Sequence, residues 1–563
     1  MRLSAGQATV ECLKAEGVKY IFGVVGSSFV EVLDAMYGRE DIRYVGVRHE
    51  EGGAFMALGY AMATGQPGVC MVTNGPGVTN LVTGVAGAYK AHAPMVVLSG
   101  APMLAHLFRD SFQEIDHLGV LRPVCKAVFQ VNRPERIPEL LRHAFRVATS
   151  GKMGPVLVDI PRDLFNATDL EVEVIPPERS RPAQRPEGES RRIQEAAVLL
   201  SRARFPVIVA GGGVKWSGAH RELARLADFL SAPVVASYGR PDVLPNDHPL
   251  YIGVLGRTPE AAEATQRADV VLALGTRLGH FTTFYDYRYI PRDAQIIQVE
   301  IDPVEIGRTF PVAVGIQGDA QAVAQALLSA LERVGPPPER EARLTFSAQL
   351  REKRWRRLEA EGGMGTLPLK PQRVMYELRR ALPPDASVVA DAGAAPGYAQ
   401  DRLFFSQPNT FFSSLDLGCV GSGFPMAIGV KMARPDRPVV ALCGDGGFMM
   451  SVQELETAVR WKVPVVAVIM NNNSWGSEKA YQKYFYNERY VEADITNPRF
   501  DRLAELFGGK GFYVERPQEV GEAVHEALRA GVPSLIEIPI DPNELPFPAR
   551  AADVFQGRQP TSR

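Results

Sequence analysis

GDGGFMMSVQELETAVRWKVPVVAVIMNNNSWG, residues 444–476, is the stretch whose reading decides the fold. It follows the apolar run PVVALC, so Gly444-Asp445-Gly446 falls where a buried strand ends and a helix begins. Such a turn exposes backbone N–H groups, a natural seat for a diphosphate. Asp445 supplies a hard oxygen. Asn472 stands at the end of the next apolar run, VPVVAVIM. Adjacent parallel strands end on one edge of a sheet, so Asp445 and Asn472 can meet on one ion. Magnesium, with its demand for octahedral oxygens including those of phosphates, suits that pair. A lone GDG is a common turn and an Asn run a common polar loop. The weight lies in their order: turn, helix, apolar strand, Asn-Asn.

Outward from this stretch, short Val/Ile runs alternate with longer helical segments. YIFGVVG, GVCMVTN, PMVVLSG and PVLVDIP come first; FPVIVAGGG, PVVASY, DVVLALGT and QIIQVEID follow. SVVADAG, PVVALCGDGG and PSLIEIPID complete the series. Continuous apolar runs mark strands covered on both faces, hence parallel sheets. The fold class is therefore α/β, with each domain a mainly parallel sheet flanked by helices. Two stretches rich in Pro and charge, around 175–189 and 333–343, read as linkers. They divide the chain into 1–175, 185–335 and 345–563, and 563 residues are too many for one core. A net charge of -2 gives no reason to expect nucleic acid or an anionic membrane. The five Cys are scattered with no C-x-x-C, which speaks against a zinc site or disulfide framework and fits a cytoplasmic protein. No run of about 18 apolar residues predicts a membrane span, and the N-terminus reads as an amphipathic helix rather than a signal peptide.

A second motif lies far upstream: VRHEEGGAFMALGYAMATGQPGVCMVTNGPGVTN, residues 47–80. Together the two stretches resemble the thiamine diphosphate signature of the acetolactate synthase-like superfamily, and the likeness covers nearly the whole chain. The resemblance implies three α/β domains: a pyrimidine-binding domain, a Rossmann-like central domain and a diphosphate-binding domain with a C-terminal tail. It implies magnesium held by Asp445, the Asn472 side chain and the main-chain carbonyl of Ser474. Gly444, Gly446, Gly447, Trp475 and Gly476 would line the diphosphate. At Ala394 and Ala395, where many relatives carry polar side chains, backbone N–H groups would have to serve. Gly418 would accept from the aminopyrimidine through its carbonyl. Val420 would stand where relatives carry a larger apolar wedge, and it is small for that task.

In the same likeness Glu50 is the carboxyl group that works on the aminopyrimidine, shifting it toward the imino form that takes the C2 proton. Glu51 matches less well. Val25, Thr73, Pro76 and Asn80 would line the site near Glu50, and Gln113 would face the reacting carbon. Substrate choice would fall to Ser27, Ser28, Phe29, Phe112, Glu114, Glu478 and Glu492. Glu50 of one subunit would meet the diphosphate site of another, which implies a homodimer at least, and a homotetramer as the expected assembly.

The chemistry implied is a thiamine diphosphate-dependent carbon–carbon lyase or carboligase, working through a C2 carbanion and an enamine. The segment after the Asn run bears on the substrate. The Trp-Glu-Asp-Arg-Phe-like stretch of acetolactate synthases is missing, as is the Gly-Ile/Val-Tyr turn of oxalyl-CoA decarboxylases and the common 2-hydroxyacyl-CoA lyases. Trp475, Gly476, Glu478 and Lys479 resemble sulfoacetaldehyde acetyltransferases and a bacterial branch of 2-hydroxyacyl-CoA lyases. The lyase is the leading expectation, with acetolactate synthase and sulfoacetaldehyde acetyltransferase as alternatives. In the central domain Gly212, Gly213, Arg277 and Asp302 would face FAD, ADP or the ADP part of CoA, if any nucleotide binds. The basic tail with Arg550, Arg558 and Arg563 could close over a CoA diphosphate. An NAD-type oxidoreductase would need a full G-x-G-x-x-G fingerprint, and none is present. A catalytically dead relative should lack Glu50 or Asp445, and both are present.

Overall fold

The computed structural model describes residues 1–181 and 184–546. The basic tail with Arg550, Arg558 and Arg563 lies outside the described residues. Three six-stranded sheets follow one another along the chain, and every strand pair in them is parallel. In the first, the spatial order is Arg43–Gly46, Tyr20–Gly23, Gly68–Val72, Met95–Ala101, Pro155–Pro161, Ala127–Gln130. In the third it is Phe411–Phe412, Ser387–Ala390, Val439–Gly444, Val466–Asn471, Ser534–Pro539, Lys510–Tyr513. By rank along the chain both read 2-1-3-4-6-5, so the two sheets are one topology used twice. The central sheet, from Tyr251–Val254 to Val314–Gln317, reads 3-2-1-4-5-6, the doubly wound order.

The apolar runs read from the sequence are these strands. Gly68–Val72, Met95–Ala101 and Pro155–Pro161 are buried at every residue, as strands between two helical layers must be. In sheets of this kind ligands bind beyond the carboxyl ends of the strands where the order reverses. In the first sheet that point lies after Gly23 and Val72, in the third after Ala390 and Gly444.

The first and third units share one core. The helix Glu50–Thr64 packs on Gly423–Ala433, and both are built from small and apolar residues. A Cβ at Gly59 would lie 2.2 Å from the Met426 carbonyl oxygen, and one at Gly429 2.0 Å from that of Met56. Two backbones this close leave no room for a methyl group. Phe55, Met56, Phe424 and Met426 form part of a single buried cluster across that seam.

The Pro-rich stretch around 333–343, read as a linker, is helical only at its two ends, and residues 335–339 connect the helices. A helix ends at Val334 and the next, Arg340–Gly362, begins within the expected linker. Arg343 explains why: its guanidinium is buried and donates to the carbonyls of Ser231 (3.2 Å), Leu230 (3.0 Å) and Arg204 (3.0 Å). Further along the same helix, Arg357 pairs with Glu260 at 3.0 Å and Asp401 at 2.8 Å, tying central and third units together.

Lys215, also at that junction, is buried with its ammonium 4.3 Å from the Phe412 ring centre and 3.4 Å from the Phe411 carbonyl oxygen. Burial, against the pull of Asp242, pushes it down to about 7 from an ordinary value of 10.5. Between those values the unfolded chain binds the extra proton, so this residue makes stability rise with pH from about 7 to about 10.5. Lys215→Met is expected to flatten that rise, by up to about 5 kcal/mol. Denaturant unfolding of both proteins at pH 7 and pH 9.5 checks it; parallel pH profiles would refute it.

The five Cys are buried and unpaired. No helix among the described residues is long and apolar enough to cross a membrane.

Candidate active site

The third sheet delivers its functional residues at the reversal point. Asp391 follows the strand Ser387–Ala390 and is buried. Its carboxylate accepts from the Gly421 N–H (3.2 Å), the Gly423 N–H (3.1 Å) and the Ser422 hydroxyl (3.3 Å). Burial raises its pKa, and these donors oppose the rise. Asp391 thus fixes the loop that carries Gly418 and Val420. It also explains Gly447, where a Cβ would fall 2.2 Å from the Asp391 carboxylate.

Gly444 closes the neighbouring strand and Asp445 opens a short helix. Asp445 is 1% exposed, and burial raises its pKa despite the Asn497 amide and the backbone N–H groups of Gly446 and Ser474. Asn497 Nδ2 donates to Asp445 Oδ2 at 2.8 Å and to Asn473 Oδ1 at 3.1 Å. Asn471 donates to Glu537 at 2.8 Å, while its side-chain oxygen accepts from Asn497 Nδ2 at 3.4 Å and from the Asn473 N–H at 3.1 Å. The Ser474 hydroxyl is buried without a partner. Gly446 is covered by Trp475, whose ring a Cβ would meet at 2.7 Å, and Gly476 lies against the Asn472 amide. At Gly418 and Gly444 a Cβ would meet nothing within 4 Å, so the main chain there faces open space. Ala394 and Ala395 stand at the start of the helix Ala395–Arg402, which leaves free backbone N–H groups at its first turn.

The buried Asp445 carboxylate and the half-buried Asn472 amide, each following one of two neighbouring strands, are oxygen donors of the kind that magnesium takes. The open main chain at Gly444 leaves room for the cofactor's diphosphate, and that at Gly418 for its aminopyrimidine. The residues present therefore fit both groups.

The first sheet provides the other half. Glu50 begins the helix Glu50–Thr64, is 8% exposed, and accepts from Asn80 Nδ2 at 2.9 Å. Pro76 and Asn80 bound one helical turn, Pro76–Asn80. Thr73 bonds the Ser28 hydroxyl at 3.1 Å and Asn74 at 3.2 Å. Gln113 adopts φ 61 beside Gly75. Glu51 is half-buried, its pKa raised by burial. The N-terminus of the Glu50 helix is held from the third unit: Glu454 accepts from the N–H groups of His49 (3.0 Å) and Arg48 (3.2 Å). Within one chain the Glu50 and Asp445 carboxylates have separate partners, Asn80 and Asn497.

Several expectations for the substrate side change. Phe29 is fully buried in the core of the first unit, with its ring 6.0 Å from that of Tyr44, so it cannot face a substrate. Ser28 is buried against Thr73. Glu114 is occupied with its own loop, accepting from the N–H groups of Phe108 (2.6 Å) and Ser111 (2.8 Å). Ser27 begins a single 3-10 turn. Val25, Phe112, Glu478 and Glu492 are exposed, Phe112 at 86%. Val420 is 37% exposed, with Met450 brought beside it through Gly421. The sequence reading missed Asp391, Glu454, Asn497 and the 2.6 Å pair of Lys479 with Asp494. Asp391, Glu454 and Asn497 stand at no motif spacing that would have singled them out; Lys479 was read in a motif, but not its pairing with Asp494.

In the central unit a cavity of about 1130 Å³ opens at the reversal point of the sheet. Gly212, Gly213 and Arg277 line it, with Lys152, Arg185, Arg308 and the segment Leu415–Leu417. Asp302 does not. Its carboxylate accepts from the Val304 N–H and pairs at 3.1 Å with Lys152, which does line the cavity. Glu300, which does line the cavity, is raised by burial to about 6. Asp416 bridges Arg240 (3.2 Å) and Arg277 (3.3 Å). His92 is pushed down to about 4, chiefly by burial and with help from Lys152, Arg277 and Arg240 against Asp416.

Comparison with known proteins agrees with this architecture. Residues 3–120 match the thiamine pyrophosphate enzyme N-terminal TPP binding domain. Residues 193–327 match the central domain and 391–538 the C-terminal TPP binding domain. The chain belongs to the thiamine pyrophosphate enzyme family, and is a thiamine diphosphate-dependent enzyme of the acetolactate synthase-like type. A probable acetolactate synthase large subunit of Methanocaldococcus jannaschii is 37% identical over 554 residues, 96% of this chain and 93% of the relative. A sulfoacetaldehyde acetyltransferase of Alcaligenes xylosoxydans xylosoxydans is 37% identical over 566 residues, 95% and 93% of the two chains. The acetolactate synthase isozyme 3 large subunit of Escherichia coli is 35% identical over 555 residues, 97% and 96%.

Proposed function

We propose that this thiamine diphosphate enzyme breaks, and in reverse forms, the bond between the thioester carbon and the hydroxyl-bearing carbon of a 2-hydroxyacyl-CoA. When bound, thiamine diphosphate supplies a nucleophilic carbon and a sink for the electrons of the broken bond. Asp445, the Asn472 side chain and the Ser474 carbonyl hold magnesium on the cofactor's diphosphate, with Asn497 orienting Asp445. Glu50, steadied by Asn80, exchanges the proton of the aminopyrimidine. Gln113 bonds the reacting oxygen. The products are an aldehyde or ketone and, after the thioester carbon takes up a proton, formyl-CoA.

The observation that carries the substrate class is the cavity of about 1130 Å³. It runs from the glycine turn at Gly212 and Gly213 to Leu415–Leu417, immediately before Gly418. A CoA ester carries a nucleotide diphosphate at one end and its reacting carbon at the other, and basic groups line this cavity. A second reading, transfer of a two-carbon unit from a 2-oxo acid or from sulfoacetaldehyde, is favoured by the names of the relatives. FAD in the same cavity would accompany the 2-oxo acid form of that reading.

Separate Glu50 and Asp445 carboxylates within one chain support a site completed by a second copy, in a dimer or a tetramer of dimeric pairs. Phe108, Phe112 and Val25, 97%, 86% and 61% exposed, are apolar surface that such a copy would cover.

Purified enzyme with magnesium and thiamine diphosphate is expected to release formyl-CoA from 2-hydroxyacyl-CoA esters, as read by chromatography of the CoA products. Acetolactate from pyruvate, or acetyl phosphate from sulfoacetaldehyde and phosphate, with every CoA ester untouched, would overturn the proposal.

A further inference from the structure

The register of the first sheet builds a polar chain that the cofactor reading leaves unused. Asp159, on the strand Pro155–Pro161, pairs in register with Ser99 on one side and Gln130 on the other. Both donate to it: Ser99 Oγ to Oδ1 at 2.6 Å, Gln130 Nε2 to Oδ2 at 3.0 Å. His117 Nδ1 lies 2.8 Å from Asp159 Oδ1, with both side chains 1% exposed. On the far side of the ring, His117 Nε2 is 2.9 Å from the Gly75 nitrogen. A backbone N–H can only donate. Nε2 is therefore the bare nitrogen, and Nδ1 carries the hydrogen that goes to Asp159.

Gly75 is what this chain holds, and its conformation needs holding. It has φ 63 and ψ -109, open to glycine and strained for other residues. A Cβ there would strike the Gln113 carbonyl oxygen at 2.7 Å. Asn74 Nδ2 donates to the carbonyls of Phe112 (3.3 Å) and Gln113 (3.5 Å). A Cβ at Gly77 would sit 3.6 Å from the Glu50 carboxylate. The turn Gly75–Gly77 is thus wedged between Gln113 and Glu50.

We infer that His117 is a positioning residue: the chain Asp159–His117–Gly75 sets the turn that places Gln113 and covers Glu50. The inference rests on the reading of Glu50 and Gln113 given above, but its structural half does not need turnover to be read.

The test compares His117→Leu with His117→Gln in the full-length enzyme. In the leucine variant the peptide spanning Gly75 to Gly77 is expected to exchange its amide hydrogens faster, by mass spectrometry. Its kcat is expected to fall about 100-fold, the scale of an ångström-sized misplacement, with KM within about threefold of the parent. A glutamine oxygen reaches the position of Nε2 and accepts from the Gly75 N–H, so His117→Gln should recover most of kcat. Equal kcat in the two variants, or unchanged amide exchange in His117→Leu, would overturn the inference. Should the leucine variant fail to fold, His117→Asn replaces it. That side chain keeps a donor toward Asp159 but is too short for Gly75, and the same two outcomes decide. Faster exchange in His117→Leu, together with a parent enzyme that turns over no CoA ester, would instead count against the proposed function alone.

Discussion

Glu50→Gln is expected to lower kcat by about 10²–10⁴-fold, the range that removal of a positioned acid–base group spans, while thiamine diphosphate still binds. The substitution is nearly isosteric. A glutamine oxygen still accepts from Asn80 Nδ2, which now bonds the carboxylate at 2.9 Å. The helix start is held by other groups, since Glu454 takes the N–H groups of Arg48 and His49. What the amide cannot do is gain and lose a proton. Cofactor affinity, read by calorimetry, should therefore change little, because the proposed diphosphate site lies on a different sheet. A variant with full activity would refute the assignment. So would one that fails to bind the cofactor, because Glu50 would then be a binding group rather than the proton-exchanging one.

What could be read in advance follows from where the information sits in the chain. The strands around Val69, Val97 and Val468 announce themselves because burial on both faces forces continuous apolar runs. The GDG turn is legible because a strand end, a helix start and a hard ligand coincide within three residues. Asn497 is not. It reaches Asp445 only because the segment 473–475 pairs with 493–495, through Trp475 N–H to Ala493 and Ile495 N–H to Asn473. That pairing is a tertiary event with no period to betray it. Glu454 is the same case: it sits on a helix where a Glu is unremarkable, and its partners belong to another sheet. Phe29 failed in the opposite direction. The likeness puts it among the residues that choose the substrate, but one 3-10 turn points the ring inward beside Tyr44. The connection around 333–343 is shorter than its proline content suggests, because the buried guanidinium of Arg343 holds the start of the next helix.

The largest loss of binding is expected at the other carboxylate. Asp445→Ala should abolish magnesium and thiamine diphosphate binding together, by more than the 10–100-fold typical of a group one shell further out. Asp445 is 1% exposed, and burial already raises its pKa, so its negative charge is held at an energetic disadvantage. Asn497 and the N–H groups of Gly446 and Ser474 offset part of that, and a dication would offset the rest. Removing the carboxylate leaves Asn472 and a carbonyl, two neutral oxygens that cannot balance a dication beside a diphosphate. Asp445→Asn is the sharper variant. It keeps the shape, but its NH2 group faces donors and its charge is gone, so it should lose the metal without leaving a cavity. Ligand that binds only the native state stabilises it by about 2.7 kcal/mol at one hundred times its Kd. The parent should therefore gain thermal stability from magnesium plus thiamine diphosphate, and neither variant should. If both variants show the parent's shift, the metal is held elsewhere. If the shift requires magnesium in the parent and survives without it in Asp445→Asn, then the diphosphate is held by the main chain of the turn at Gly444 alone.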